Sequence, residues 1–210
     1  MTIGLEEGAR ALGLAPSARQ IEQLEAYGAL ILKWNKVYNL TALRDEASVR
    51  THHLLDSLAA VAPLNRQQPG PGRLLDVGSG GGLPGVVIAI LRPDLEVRCL
   101  DAVAKKTAFV NQVAAELQLP HLKGVHARVE SLTGTYDVVS SRAFASLADF
   151  FQGSRQLLAK QGVWLAMKGK VPNEELRALP PGVEVFHVEQ LHVPGLDAER
   201  CIVWARKSAD

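Results

Sequence analysis

Cysteine is scarce in this sequence, with only Cys99 and Cys201 among 210 residues. Two thiols so far apart exclude a disulfide-built fold, and neither has the neighbouring His or Cys ligands at regular spacing that a metal site needs. Both sit in apolar, strand-like runs and read as buried, reduced thiols, and no metal is expected. Excess charge is lacking too: 23 Lys and Arg stand against 22 Asp and Glu, for a formal net charge of +1. Such a chain does not coat nucleic acid as a polycation; any RNA contact needs a local basic face or a helping partner. No apolar run approaches the length of a membrane span. The first residues, Met1-Thr2-Ile3-Gly4-Leu5-Glu6-Glu7, do not form a basic-then-apolar signal, so the expectation is a cytoplasmic protein. Internal repeats and low-complexity tracts are missing as well.

What is present is an ordinary globular composition, 47% apolar, with a length that suits one domain and a small appendage. Residues 1–70 read as an N-terminal helical extension packed on the core. Ser17 and Gln20 have the spacing of a capping box. The apolar positions Ile21, Leu24, Tyr27, Leu30, Ile31 and Trp34 then follow a helical period. Tyr38-Asn39-Leu40-Thr41 breaks it. Asp45 or Ser48 starts a further helix through His53 and Leu58, which Pro63 ends. Gln67–Gly72 is a Pro- and Gly-rich linker.

Over residues 71–210 the rhythm is strand–helix alternation. Strands are expected at Arg73–Val77, Glu96–Asp101, Leu122–His126, Tyr136–Ser140 and Gly162–Met167. Helices are expected through Val86–Leu91, Ala104–Leu119 and Leu147–Lys160. Val183–His192 and Arg200–Arg206 are joined through Pro194-Gly195 with no room for a helix, so they pair antiparallel. The fold class is α/β: a mostly parallel, seven-stranded, Rossmann-like sheet with a C-terminal antiparallel hairpin and N-terminal helices, forming one compact unit.

The chemistry concentrates where the first strand ends, in Leu74-Leu75-Asp76-Val77-Gly78-Ser79-Gly80-Gly81-Gly82. Five of the eight residues Gly78–Gly85 are glycine, a costly loop unless something uses the space. Gly80-x-Gly82-x-x-Gly85 formally satisfies a dinucleotide fingerprint. Two details favour a methyl donor instead. Asp76, inside the strand end, suits a cationic or zwitterionic ligand such as S-adenosylmethionine better than a pyrophosphate. Pro84 at the helix start removes one N–H from an anion site. Asp101 ends the second strand 23 residues after Gly78, near the separation expected of a carboxylate that accepts from a ribose hydroxyl. A strand-end aspartate that caps the following helix is the other reading, and both can hold. Val129 and Glu130 follow the third strand, where a loop passes an adenine ring.

Three further marks join this loop: Tyr38–Thr41, His53-Leu54-Leu55-Asp56-Ser57-Leu58 and Ser141-Arg142-Ala143-Phe144-Ala145. Together they closely resemble the bacterial 16S ribosomal RNA (guanine-N7)-methyltransferases, the RsmG or glucose-inhibited division protein B family, over nearly the whole chain. The resemblance implies a class I methyltransferase that acts on a guanine of the 530 loop of 16S rRNA, within the small ribosomal subunit. It implies cofactor contacts at Gly78, Leu83, Val129, Glu130 and Arg142, beside the expected Asp76, Gly80 and Asp101. The family's loop often has Pro where this chain has Gly81.

Guanine N7 carries a free lone pair and no proton, so its methylation needs positioning and electrostatics rather than a general base. The residues agree. Where exocyclic-amine enzymes show an Asn/Asp-Pro-Pro-aromatic run, this chain reads Ser140-Ser141-Arg142-Ala143-Phe144, and neither cysteine is placed as a nucleophile at a strand's carboxyl end. Arg142 is expected to fix the cofactor carboxylate, or alternatively an RNA phosphate. Phe144 is expected to stack on the target base. RNA contacts are sought among Lys33, Lys36, Arg50, His52, His53, Lys105, Arg128, Lys168 and Lys170. For these lysines a solvated face is as good a reading. Asp56 is expected to pair with His53, one helical turn away, and tie the N-terminal helices to the sheet; the role of His53 stays open. The competing functions are a methyltransferase for a small molecule or protein, a nicotinamide-dependent oxidoreductase, and a non-catalytic ribosome-associated module. A monomer is the expected state.

Overall fold

A computed structural model of the protein describes residues 3–144 and 146–208. Ala145, the last residue of the Ser141–Ala145 motif, lies outside the described residues.

The chain opens with helices. α1 spans Leu5–Ala11, and α2, the longest, spans Ala18–Tyr38. The Ser17–Gln20 capping box forms as expected, each side chain bonding the other's backbone N–H; such a cap contributes about 1 kcal/mol. Asn39 ends α2 in the left-handed conformation, with φ 49°. Asp45 caps α3 (Glu46–Val49), accepting from Ser48 N at 2.8 Å. α3 runs on through a π-helical segment, Arg50–Leu55, into α4 (Asp56–Leu58). Pro63 does not end this helical region. It lies in the first turn of α5 (Val61–Gln67), where its missing N–H would have had no partner within the helix.

The sheet then builds from β1 (Gly72–Val77), α6 (Gly85–Leu91), β2 (Leu95–Asp101), α7 (Ala104–Glu116), β3 (Leu122–His126) and β4 (Tyr136–Arg142). The expected helix over Leu147–Lys160 is too long. α8 covers Leu147–Ser154, and a tight turn over Arg155–Leu157 leads into β5 (Leu158–Lys168). Ser154 marks the break: its hydroxyl donates to Phe150 O at 2.6 Å and accepts from Trp164 Nε1 at 2.9 Å. The apolar pair Leu157-Leu158 fits either period and concealed the change. A short α9 (Asn173–Arg177), not anticipated, precedes β6 (Val183–Leu191) and β7 (Arg200–Lys207).

The seven strands are ordered β3-β2-β1-β4-β5-β7-β6, with β7 antiparallel to both neighbours. Central strands are buried on both faces, so consecutive residues enter opposite cores. Leu74, Val138 and Leu165 face the core that contains α6 and α7; Leu75, Val139 and Trp164 face the one that contains α8. Leu24, Tyr27 and Ile31 of α2 join the first of these cores, so the N-terminal helices form a third layer over α6 and α7. Strand order reverses between β1 and β4, and the crevice at their carboxyl ends is where such a sheet accepts ligands.

Candidate active site

The loop after β1 is shaped by three left-handed glycines: Gly78 at φ 66°, Gly80 at φ 58° and Gly82 at φ 92°. Two buried carboxylates hold it. Asp101 Oδ2 accepts from Gly80 N at 3.0 Å, and Asp76 Oδ2 accepts from Gly85 N at 2.9 Å. The side of the loop that faces the crevice is bare. A methyl group added at Gly80 would meet no atom within 4 Å, and one added at Gly78 would meet only the Phe144 ring, at 3.8 Å. Backbone can therefore come close to a ligand there.

Two cavities meet at Gly78. The larger, about 540 Å³, is lined by Ser79, Gly80, Gly81 and Leu83 of the loop, Leu40 and Thr41 after α2, His52, His53 and Asp56, and Arg142, Lys168 and Arg200 from the strand ends. The smaller, about 250 Å³, lies between Leu100, Asp101, Ala127, Val129, Glu130 and Phe144. It is a mostly apolar slot with carboxylates at its edge, a shape that suits a flat heterocycle with a sugar.

The expected site residues fall into three groups. Gly78, Gly80, Leu83 and Arg142 line the larger cavity; Asp101, Val129 and Glu130 line the smaller. Asp76 lines neither. It is fully buried, its second oxygen accepts from Ser140 Oγ at 3.0 Å, and both oxygens are thus turned into the protein. Asp76 thus shapes the loop from behind. Burial raises its carboxyl pKa to about 7, against the lowering pull of the Gly85 and Ser140 hydrogen bonds. Phe144 lines the smaller cavity and not the larger, its ring 5.6 Å from that of Phe150.

Arg142 is the last residue of β4 rather than a loop residue. Its Nη1 donates to His52 O and to Asp56 Oδ2, both at 3.0 Å. Arg200, which opens β7, donates from Nε to Asp56 Oδ1 at 2.7 Å. The expected His53–Asp56 pair is therefore replaced: Asp56 takes two arginines, and His53 Nε2 bonds Thr41 Oγ1 at 2.7 Å. One helical turn orients His53 toward Arg142 as well, Nδ1 to Nη2 at 3.4 Å. Burial first, and the Arg142 charge second, lower the His53 pKa to about 4, so its imidazole is neutral near pH 7. Asp56 does tie the N-terminal helices to the sheet, through strand-end arginines instead of a histidine. The π-helical segment that carries His52 and His53 into the wall is of a kind often found at functional sites; no period in the sequence announces it.

Sequence reasoning missed Arg200. The signal was available: an antiparallel last strand begins at the edge where parallel strands end, so its first residue enters the crevice. Cys201 sits at that same edge, opposite Lys168 in register, but is fully buried and outside the cavity lining. Lys168 itself is half-withdrawn, its Nζ 3.0 and 3.1 Å from the Glu175 carboxylate oxygens.

A family model described as rRNA small subunit methyltransferase G matches residues 20–203. The chain belongs to this family. A small subunit rRNA methyltransferase G of Acidovorax sp. (strain JS42) is 62% identical over 98% of this chain and 95% of its own. Its counterpart in Polaromonas sp. (strain JS666 / ATCC BAA-500) is 63% identical over 98% of this chain and 93% of its own. Among solved structures, the glycopeptide N-methyltransferase MtfA in complex with S-adenosylmethionine superposes with a TM-score of 0.62 at 13% identity, over 74% of this chain and 95% of that one. A 1,6-didemethyltoxoflavin N1-methyltransferase from Burkholderia thailandensis gives 0.59 at 16% identity, over 93% of each chain. Likenesses this remote establish the fold: a class I methyltransferase sheet. As a member of the methyltransferase G family, the chain is an S-adenosylmethionine-dependent enzyme of small-subunit rRNA. Among its described residues no helix is long and apolar enough to cross a membrane.

Proposed function

We propose that this chain transfers the methyl group of S-adenosylmethionine to N7 of a guanine in the 530 loop of 16S rRNA. In this reading it works in the cytoplasm as a monomer, on rRNA already within the small subunit. Residues 71–210 are the methyltransferase domain, and residues 1–70 are a helical extension that completes its acceptor wall. The observation that carries the reading is the pair of cavities meeting at Gly78, with bare backbone at Gly80 in the wall of the larger one.

The residues present fit the cofactor. Asp101 would accept from the ribose at the smaller cavity, with Val129 and Glu130 beside the adenine. Gly78, Gly80 and Leu83 would let the chain of the ligand pass into the larger cavity. Arg142, already aligned by Asp56, would meet the carboxylate. When bound, the cofactor supplies an electrophilic methyl on a sulfonium.

The acceptor needs no deprotonation, and the site is built accordingly. His53 is neutral, bonded to Thr41, and stands between Arg142 and the helical wall. Two arginines share one carboxylate, which leaves a net positive charge at the floor of the larger cavity. That field suits the phosphates of an incoming RNA and the carboxylate of the cofactor. Positioning is left to the walls: Leu40 and Thr41 on one side, Lys168 and Gly169 on the other.

The test is transfer of labelled methyl from S-adenosylmethionine to small subunits isolated from cells lacking the gene. Label in 16S rRNA of small subunits, with none in large subunits, supports the reading. Label that goes only to protein, or none at all, overturns it.

A further inference from the structure

Tyr27 lies in the middle of α2, fully buried, far from every motif that marks the site. Its hydroxyl nevertheless donates to the carbonyl oxygen of Gly81 at 2.6 Å. We propose that Tyr27 is a positioning residue for the cofactor: through this bond the N-terminal helical layer sets the conformation of the glycine loop.

The loop needs such a hold. Gly80 and Gly85 are fastened through their amides to Asp101 and Asp76, on the sheet side. Between them lie Gly81 and Gly82, with no side chain to pack and a large entropy to lose. The peptide that joins these two is gripped at both ends. Its amide, on Gly82, donates to Ser79 O at 2.9 Å, and its carbonyl, on Gly81, accepts from Tyr27. The first grip is internal to the loop. Tyr27 supplies the second from another layer of the protein.

The tyrosine is itself rigidly placed. Its ring stacks on Phe109 of α7 with centroids 6.3 Å apart. α2 is fastened to the helices beneath it, Gln20 Nε2 to Ile90 O at 2.9 Å and Gln23 Nε2 to Leu117 O at 2.8 Å. Ile31, one turn after Tyr27 on the same helix face, reaches the larger cavity. One face of α2 thus both walls the cavity and pins the loop.

The inference rests on the cofactor reading above, but its test needs no RNA. Tyr27→Phe keeps the ring and removes only the hydroxyl. S-adenosylhomocysteine affinity, measured by calorimetry, should fall about tenfold. In steady-state kinetics, KM for S-adenosylmethionine should rise while KM for small subunits stays unchanged. The decisive variant is Tyr27→Phe with Gly81→Ala. Position 81 does not need a left-handed φ, and an added Cβ would find only ordinary contact with Phe109, at 3.9 Å. Alanine stiffens the loop by a different route, so the double variant should recover affinity to within about threefold of the unaltered protein. A role confined to packing α2 would not be rescued at position 81. Unchanged affinity in Tyr27→Phe, or a double variant as weak as the single one, overturns the proposal. Failure of the unaltered protein to bind S-adenosylhomocysteine would instead overturn the functional reading beneath it.

Discussion

The Asp56 carboxylate and the Arg142 guanidinium meet at 3.0 Å, joining a helix of the N-terminal layer to the carboxyl end of β4. Arg200 closes on the other oxygen at 2.7 Å. Asp56 is only 3% exposed, so its charge depends on these two partners, and they on it.

Replacing Asp56 with alanine leaves two partly buried guanidiniums without their counter-charge. Stability should fall by about 3 kcal/mol, and the melting temperature by roughly 10 °C. Asp56→Asn, which keeps the shape, should lose less. Calorimetric melting checks both. A shift within error for Asp56→Ala would mean that the triad contributes no stability.

Arg142→Ala removes one arm of the triad but leaves Asp56 paired to Arg200, so the fold should persist. S-adenosylhomocysteine affinity should drop by about tenfold or more, the effect of losing charged hydrogen bonds. Arg142→Lys should recover only part of it, because an ammonium cannot make the paired geometry. Unchanged binding in titration calorimetry would remove Arg142 from the cofactor site.

Two buried groups tilt stability against pH in opposite directions. Asp76 holds its proton up to about pH 7 in the folded protein, against a usual 3.8. Between those values the unfolded chain has already lost the proton, so this group lowers stability as pH rises. His53 titrates near 4 when folded, against a usual 6.5. Between those values the unfolded chain has gained a proton that the folded one refuses, so this group lowers stability as pH falls. Asp76→Asn should therefore steepen the rise of stability from acid toward neutral pH, and His53→Gln should flatten or reverse it. Urea midpoints at pH 4.5 and 6.5 read the difference. Variants that both run parallel to the unaltered protein would contradict the assignment.

Lys168 and Lys170 differ in their surroundings. Lys168 is bound to Glu175, while the Lys170 side chain is 86% exposed, with Glu199 3.8 Å away. Lys170→Glu should weaken small-subunit binding most at low salt, with the deficit shrinking as salt rises because the salt slope falls by about 0.7 per lost contact, and with melting unchanged. Lys168→Glu should lower melting as well, because it turns an ion pair into a repulsion. A salt-independent loss in Lys170→Glu would point away from a phosphate contact.

The strand–helix rhythm, the hairpin and the glycine loop were legible because each follows from a local rule: period, turn residues, left-handed glycine. Asp101, marked by its spacing from Gly78, lines the smaller cavity and accepts from Gly80 N. What escaped was contact between distant segments. Asp56 lies on a helix of apolar period with His53 one turn back, and the sequence cannot show that Arg142 and Arg200 arrive at the same point from two strands. Tyr27 looked like one more apolar position on the α2 stripe; only the packing of α2 over α7 brings its hydroxyl to Gly81. Asp76 was read correctly as unusual, but its carboxylate faces inward because Gly85 N and Ser140 Oγ capture both oxygens. The Leu147–Lys160 region misled because Leu157-Leu158 fits a helical period continued from Leu147 as well as the start of a strand.

One measurement reads the reacting atom directly. Small subunits from cells lacking the gene are incubated with the protein and S-adenosylmethionine, and their 16S rRNA is treated with borohydride and aniline, which cut the strand at N7-methylguanine. New scission is expected at a single guanine of the 530 loop, present only when both protein and methyl donor are supplied. Methyl incorporation without scission in that loop, or scission elsewhere, would contradict the proposed function.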